Sequence, residues 1–161
     1  MKNKYILLYY YIPEDHGCWD NLKPPKSPNE YEISIFKKYI KGNVLLLGET
    51  KALRPLANEG IDLYPTDFAK EGHWFDIKEY YDTIIGDGCI NLSGFSLIEA
   101  VKNNCDRFIC RIFGKELKES QRWKYVKCFF DEFDGATEII KTQSGCYIVI
   151  WDFKKNNIYK K

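Results

Sequence analysis

Asn43 to Thr50 reads Asn-Val-Leu-Leu-Leu-Gly-Glu-Thr, and Tyr81 to Asn91 reads Tyr-Asp-Thr-Ile-Ile-Gly-Asp-Gly-Cys-Ile-Asn. Each stretch is a strand pattern that ends in a polar loop. Val44 to Leu47 is an unbroken apolar run between Gly42 and Gly48, as expected of a parallel strand covered on both faces. Ile84 and Ile85 run straight into Gly86-Asp87-Gly88. Two such strands lying side by side open their carboxyl ends onto one crevice, where open α/β sheets take their ligands. Gly48, Glu49, Thr50, Gly86, Asp87 and Gly88 are therefore expected neighbours around a ligand.

Working outward, Ser27-Pro28-Asn29-Glu30 fits a capping box with proline at the first helical position, and Tyr31, Ile35, Phe36, Tyr39 and Ile40 follow on one face. The pattern predicts a helix over 28–41, closed by Gly42. A short helix is expected over 51–59, restricted by Pro55, then a second strand over 61–66 ending at Asp67. The segment 68–80 is too short for a full helix, a full strand and their turns, so an element of a complete doubly wound sheet is expected to be missing there. Beyond Gly86-Asp87-Gly88 the chain predicts a helix over 94–104, a strand over 107–113 and an amphipathic helix over 118–133. Two β-rich runs, 136–142 and 146–153, flank Gln143-Ser144-Gly145, a hairpin connection. Residues 4–12 read as either helix or strand. Residues 13–28, with four prolines, form a loop long enough to cover a site.

At 161 residues the chain fits one domain, 1–161, large enough to bury a sizeable core without staples. The 24 Lys and Arg against 23 Asp and Glu leave a net charge of +1. No global field draws it to nucleic acid or an anionic membrane, and a small-molecule substrate is the expectation. The six cysteines show no Cys-x-x-Cys spacing and no histidine pair, so no metal site is expected. Cys105, Cys110, Cys128 and Cys146 sit in apolar surroundings as small hydrophobes. With no cleavable signal and no membrane-spanning run, a cytoplasmic location is expected; the oligomeric state is open.

The alternation of helix and strand closed by a hairpin resembles the class I S-adenosylmethionine-dependent methyltransferases, a Rossmann-like three-layer sandwich with a mostly parallel sheet and a C-terminal antiparallel hairpin. The motifs point to a branch of small bacterial members: Ser27-Pro28-Asn29 with Glu30, Tyr31 and Glu32, then Leu45-Leu46-Leu47-Gly48-Glu49-Thr50, then Asp67, Gly86-Asp87-Gly88 and Arg111-Ile112-Phe113. The likeness runs from about Trp19 to Phe113, with the third-strand region shortened. It implies binding of S-adenosylmethionine as cofactor and methyl transfer to a small or medium-sized acceptor.

In that resemblance Gly48 turns the backbone beside the methionine part, and the short helix after Thr50 offers free N–H groups to its carboxylate. Glu49 or Asp87 balances its positive charges, and Asp67 takes the ribose hydroxyls. Phe68 lies against the adenine and Asp76 meets its amino group. Asp87 is the nominated catalytic base. Trp19, on the loop 13–28 acting as a lid, is expected over the acceptor. Arg111 either contacts the ligand or forms an ion pair with an acid such as Asp87. Trp74 either covers the pocket or anchors its loop, and His16 and His73 are loop histidines able to act as bases.

Two departures bear on function. Gly48-Glu49-Thr50 carries side chains where these enzymes usually have further glycines, and the Arg-Pro-Ser-Pro pattern appears as Pro25-Lys26-Ser27-Pro28, so an arginine role could pass only to Lys26. The glycine-poor loop and the shortened third-strand region support the alternative of a degenerate fold acting as a non-catalytic binding or scaffold subunit. A dehydrogenase is disfavoured because no Gly-x-Gly-x-x-Gly follows either strand.

Overall fold

The computed structural model describes residues 27–94, 96–113, 135–142 and 146–153. Among the described residues the first element is helix α1 (Glu30–Tyr39). Its N-cap is Asn29 rather than Ser27: Asn29 accepts from the Glu32 N–H at 2.8 Å, and the Glu32 carboxylate accepts from the Asn29 N–H at 3.1 Å. Ser27…Glu30 and Asn29…Glu32 both satisfy the capping-box spacing. The second prevails because Glu32 has further partners inside the fold. Lys37 and Lys38 in the last turn suit the negative end of the helix dipole.

Among the described residues, seven strands form one sheet of order β3-β2-β1-β4-β5-β7-β6. Its strands are β1 (Val44–Leu47), β2 (Glu59–Asp62), β3 (Ala69–Glu71), β4 (Tyr81–Asp87), β5 (Cys105–Phe113), β6 (Glu138–Lys141) and β7 (Cys146–Asp152). The first five are mutually parallel, and β7 lies antiparallel between β5 and β6. Between β4 and β5 come the short helices α2 (Cys89–Ser93) and α3 (Ser96–Val101). Alternation along the strands sorts the core into two sides. Leu45, Leu47, Ile84, Phe108, Ile112 and Trp151 pack with Ile90, Leu97 and Val101 of the α2–α3 side. Leu46, Ile85, Ile109, Ile148 and Ile150 pack with Ile35 and Phe36 of α1. The result is the expected mixed α/β, mostly parallel sheet with an antiparallel end.

Three further sequence expectations are corrected. The segment 51–59 holds only a 3-10 turn, Arg54–Leu56, with Pro55 inside it. The second strand is Glu59–Asp62, not 61–66, so its tip is Asp62 and Asp67 lies in the following loop. Gly60 is tolerated mid-strand because the Phe68 ring fills its side-chain space: a Cβ there would stand 2.8 Å from Phe68 Cε1. The helix expected over 94–104 is split by Gly94 into α2 and α3. The segment 68–80 is shortened as anticipated, carrying the three-residue β3 and a 3-10 turn, Trp74–Asp76. Residues 4–12, the loop 13–28 apart from Ser27 and Pro28, the helix 118–133 and the connection 143–145 lie outside the described residues.

Candidate functional site

The carboxyl ends of β1 and β4 meet as the sequence predicts. Leu47 is in register with Gly86, so Gly48 emerges beside Gly86-Asp87-Gly88. Gly48 has φ 96°, a conformation side chains disfavour, and its N–H donates to the Ile61 carbonyl at 2.8 Å. Gly88, at φ 75°, caps α2. Gly86 has a different reason for being glycine. A Cβ there would stand 2.6 Å from the sulfur of Cys89, which lies against this strand and contacts the Leu47 carbonyl at 3.5 Å. The first glycine of Gly-Asp-Gly thus makes room for a thiol.

Asp87 points to the α1 side of the sheet. Arg111 Nε donates to its Oδ1 at 2.7 Å, and Arg111 Nη1 donates to Glu32 Oε1 at the same distance. The Thr142 hydroxyl donates to the other Glu32 oxygen at 2.9 Å. Glu32 and Arg111 are buried, and only 8% of the Asp87 side chain is exposed. Helix α1, strands β4 and β5 and the end of β6 are therefore tied together at the rim of the crevice. Arg111 forms the ion pair with Asp87 that the sequence offered as one of its two roles, and pairs with Glu32 as well. Burial opposes its charge, but Asp87, Cys146 and Glu32 outweigh that and hold its pKa above the ordinary value. Asp87 is pushed up by burial; Arg111 pulls it back only partly, and Glu32, the second carboxylate on the same cation, pushes it up further.

The acids assigned to the donor are spread out. Glu49 and Asp67 both face Arg54, at 3.5 and 3.7 Å, and the Arg54 guanidinium lies 5.5 Å from the Phe68 ring centroid. Asp67 is exposed. Phe68 packs with the core on the α1 side, between Arg54 and Gly60. After Thr50 the chain makes turns rather than an α-helix: the Thr50 carbonyl accepts from the Leu53 N–H at 3.0 Å, ahead of the 3-10 turn Arg54–Leu56. Asp76 is an exposed residue ending its 3-10 turn. The acid that does stand at the tip of β2 is Asp62, which accepts from the Leu63 N–H at 2.8 Å.

Sequence reasoning missed Asp62, Glu32 and Arg54. Asp62 was legible as an acid one residue after Ile61, had the strand been started at Glu59. His73 caps its turn, its Nδ1 accepting from the Phe75 N–H at 3.1 Å. Trp19 and Lys26 lie outside the described residues. Cys89, Cys105, Cys110 and Cys146 are buried free thiols; burial pushes Cys105 up to about 12 and Cys89 well above its ordinary value, which leaves neither as a nucleophile at neutral pH.

No protein-family model and no curated protein sequence matches the chain. Solved structures do match. A protein from Pyrococcus horikoshii OT3 superposes with a TM-score of 0.55 at 14% identity, covering 74% of this chain and 86% of its own. A SAM-dependent methyltransferase from Aquifex aeolicus gives 0.53 at 12% identity, covering 84% and 96%. The chain has the class I methyltransferase fold. The 16S rRNA methylase ArmA shares that fold with a TM-score of 0.50 at 12% identity, covering 77% of this chain and 81% of its own. Open α/β sheets in general take their ligands at the carboxyl ends of strands where the strand order reverses. Among the described residues no helix is long and apolar enough to cross a membrane.

Proposed function

We propose that the protein binds S-adenosylmethionine at the carboxyl ends of β1, β2 and β4 and transfers its methyl group to a small or medium-sized acceptor in the cytoplasm. The observation that carries this reading is the left-handed Gly48 at the end of a buried strand, in register beside Gly86-Asp87-Gly88, within a methyltransferase-fold sheet. The residues fit such a donor. Gly48 offers bare backbone, and Asp62 offers a strand-tip carboxylate for the ribose hydroxyls, the place an acid takes in dinucleotide folds. Glu49 and Asp67, joined through Arg54, stand at the rim.

When bound, the donor supplies a methyl group on a sulfonium that leaves as a neutral thioether. The protein then acts mainly by holding the acceptor in line, and positioning of this kind is worth about 7–11 kcal/mol. Asp87 serves as a positioning residue: its carboxylate faces Arg111 and fixes the Gly-Asp-Gly loop. The second reading, a non-catalytic binding subunit, draws support from the three-residue β3 and the glycine-poor loop after β1.

Calorimetric titration with S-adenosylmethionine and S-adenosylhomocysteine tests the donor site. A dissociation constant near 1 μM, about −8 kcal/mol, is expected, with a larger loss in Asp62→Ala than in Asp67→Ala. Binding without methyl transfer to any acceptor in a cell-extract screen would favour the binding subunit. The absence of heat with both ligands would remove the methyl-donor reading.

A further inference from the structure

The connection from β3 back to β4 carries one large side chain across the top of the sheet. Trp74 Cζ2 lies 3.7 Å from the place a Gly48 Cβ would take, the nearest atom there among the described residues other than Gly48 and its chain neighbours Leu47 and Glu49. Its Nε1–H donates at 3.1 Å to the Ile61 carbonyl, the same oxygen that accepts the Gly48 N–H at 2.8 Å. The indole therefore spans the tips of β2 and β1. An indole is a flat fused bicycle of nearly purine size, with apolar faces and one N–H donor. It covers the bare backbone that a nucleoside donor would use.

Trp74 is partly buried and packs against the core on the α2–α3 side; its carbonyl partner is shared with the Gly48 N–H, and its carrier is a three-residue 3-10 turn capped by His73. We infer that Trp74 fills the nucleoside seat of the free protein as an internal stand-in, and that the adenosine portion of the donor must displace it. The inference rests on the donor-site reading above. Apparent affinity is then the intrinsic affinity reduced by the fraction of molecules in which Trp74 has swung away. A tryptophan that merely lines the seat would instead add to binding.

The test is calorimetric titration of adenosine and S-adenosylhomocysteine into the wild-type protein, Trp74→Ala and Trp74→Leu, each checked for folding by circular dichroism. Trp74→Leu retains apolar volume should the alanine variant fail to fold. At least about a tenfold gain in affinity is expected in the variants, whether or not the wild type binds measurably. Weaker or unchanged binding in folded variants overturns the inference; if the wild type still binds, the donor site stands without it. If wild type and variants bind neither ligand, both fall. A variant-free readout is the Trp74 indole N–H resonance of the wild type. Added S-adenosylhomocysteine should abolish its protection from solvent exchange, and persistence of that protection at saturation would contradict displacement.

Discussion

At the scale of single residues, two carboxylates share one buried cation. Asp87 binds its proton more tightly in the folded chain than unfolded, because burial and the neighbouring Glu32 together exceed the pull of Arg111. The sign follows from linkage. The Asp87 contribution to stability is most favourable at low pH and is lost as pH climbs from about 4 through the raised folded value. Asp87→Asn removes that loss while leaving Glu32 on Arg111, so urea denaturation should show the variant gaining on wild type from about pH 4 to pH 7. Parallel pH profiles for the two proteins would contradict it. The same variant tests the positioning role. Loss of a general base costs about 10²- to 10⁴-fold, whereas Asp87→Asn should keep kcat within about tenfold.

Gly86 offers a second residue-scale prediction, since the thiol of Cys89 occupies its side-chain space. Gly86→Ala should cost about 1–3 kcal/mol by overpacking. Cys89→Ala in the same chain should recover most of that loss, because the clash is with the sulfur. Equal destabilisation with and without the thiol, read from urea midpoints, would point to the backbone instead. The sequence raised the expectation of a ligand loop at Gly-Asp-Gly but held no sign of this internal reason for its first glycine. The cause is a side chain folding back from three residues downstream, which no local pattern reports.

Among the elements, β1 and β4 were legible because a continuous apolar run bounded by glycines has few other readings in an α/β chain. Strand β2 was not. Ile61, Leu63 and Tyr64 look like strand residues, yet the strand is built from Glu59-Gly60-Ile61-Asp62, where Phe68 supplies the ring that Gly60 lacks. That error moved the strand-tip acid from Asp62 to Asp67. Helix α1 was legible in extent but not in its cap, since two capping boxes overlap and it is the contacts of Glu32 with Arg111 and Thr142 that separate them. The two roles of Glu32 predict unequal costs. Asn29→Ala should lose about 1 kcal/mol, the ordinary value of a cap. Glu32→Ala removes the cap partner and one neighbour of a buried guanidinium and should lose about 3–5 kcal/mol. Similar losses in chemical denaturation would mean that Glu32 is only a capping residue.

Across the whole molecule, the strand order places β1 at the point where the chain turns from building toward β3 to building toward β5. A crevice at such a reversal was foreseen from two short stretches of sequence, because parallel strands in register must open on the same edge. For Trp74 the sequence left two roles open, pocket cover and loop anchor. The short connection between β3 and β4 lays it over Gly48, and that contact depends on how few residues bridge the two strands rather than on any motif. The central claim is that this edge takes an S-adenosyl ligand. A crystal structure of the protein grown with saturating S-adenosylhomocysteine tests it most directly. The ligand should lie across the tips of β1, β2 and β4, against Gly48 with its ribose on Asp62 and Trp74 turned aside; a crevice still closed by Trp74, or a ligand bound elsewhere, would contradict the account.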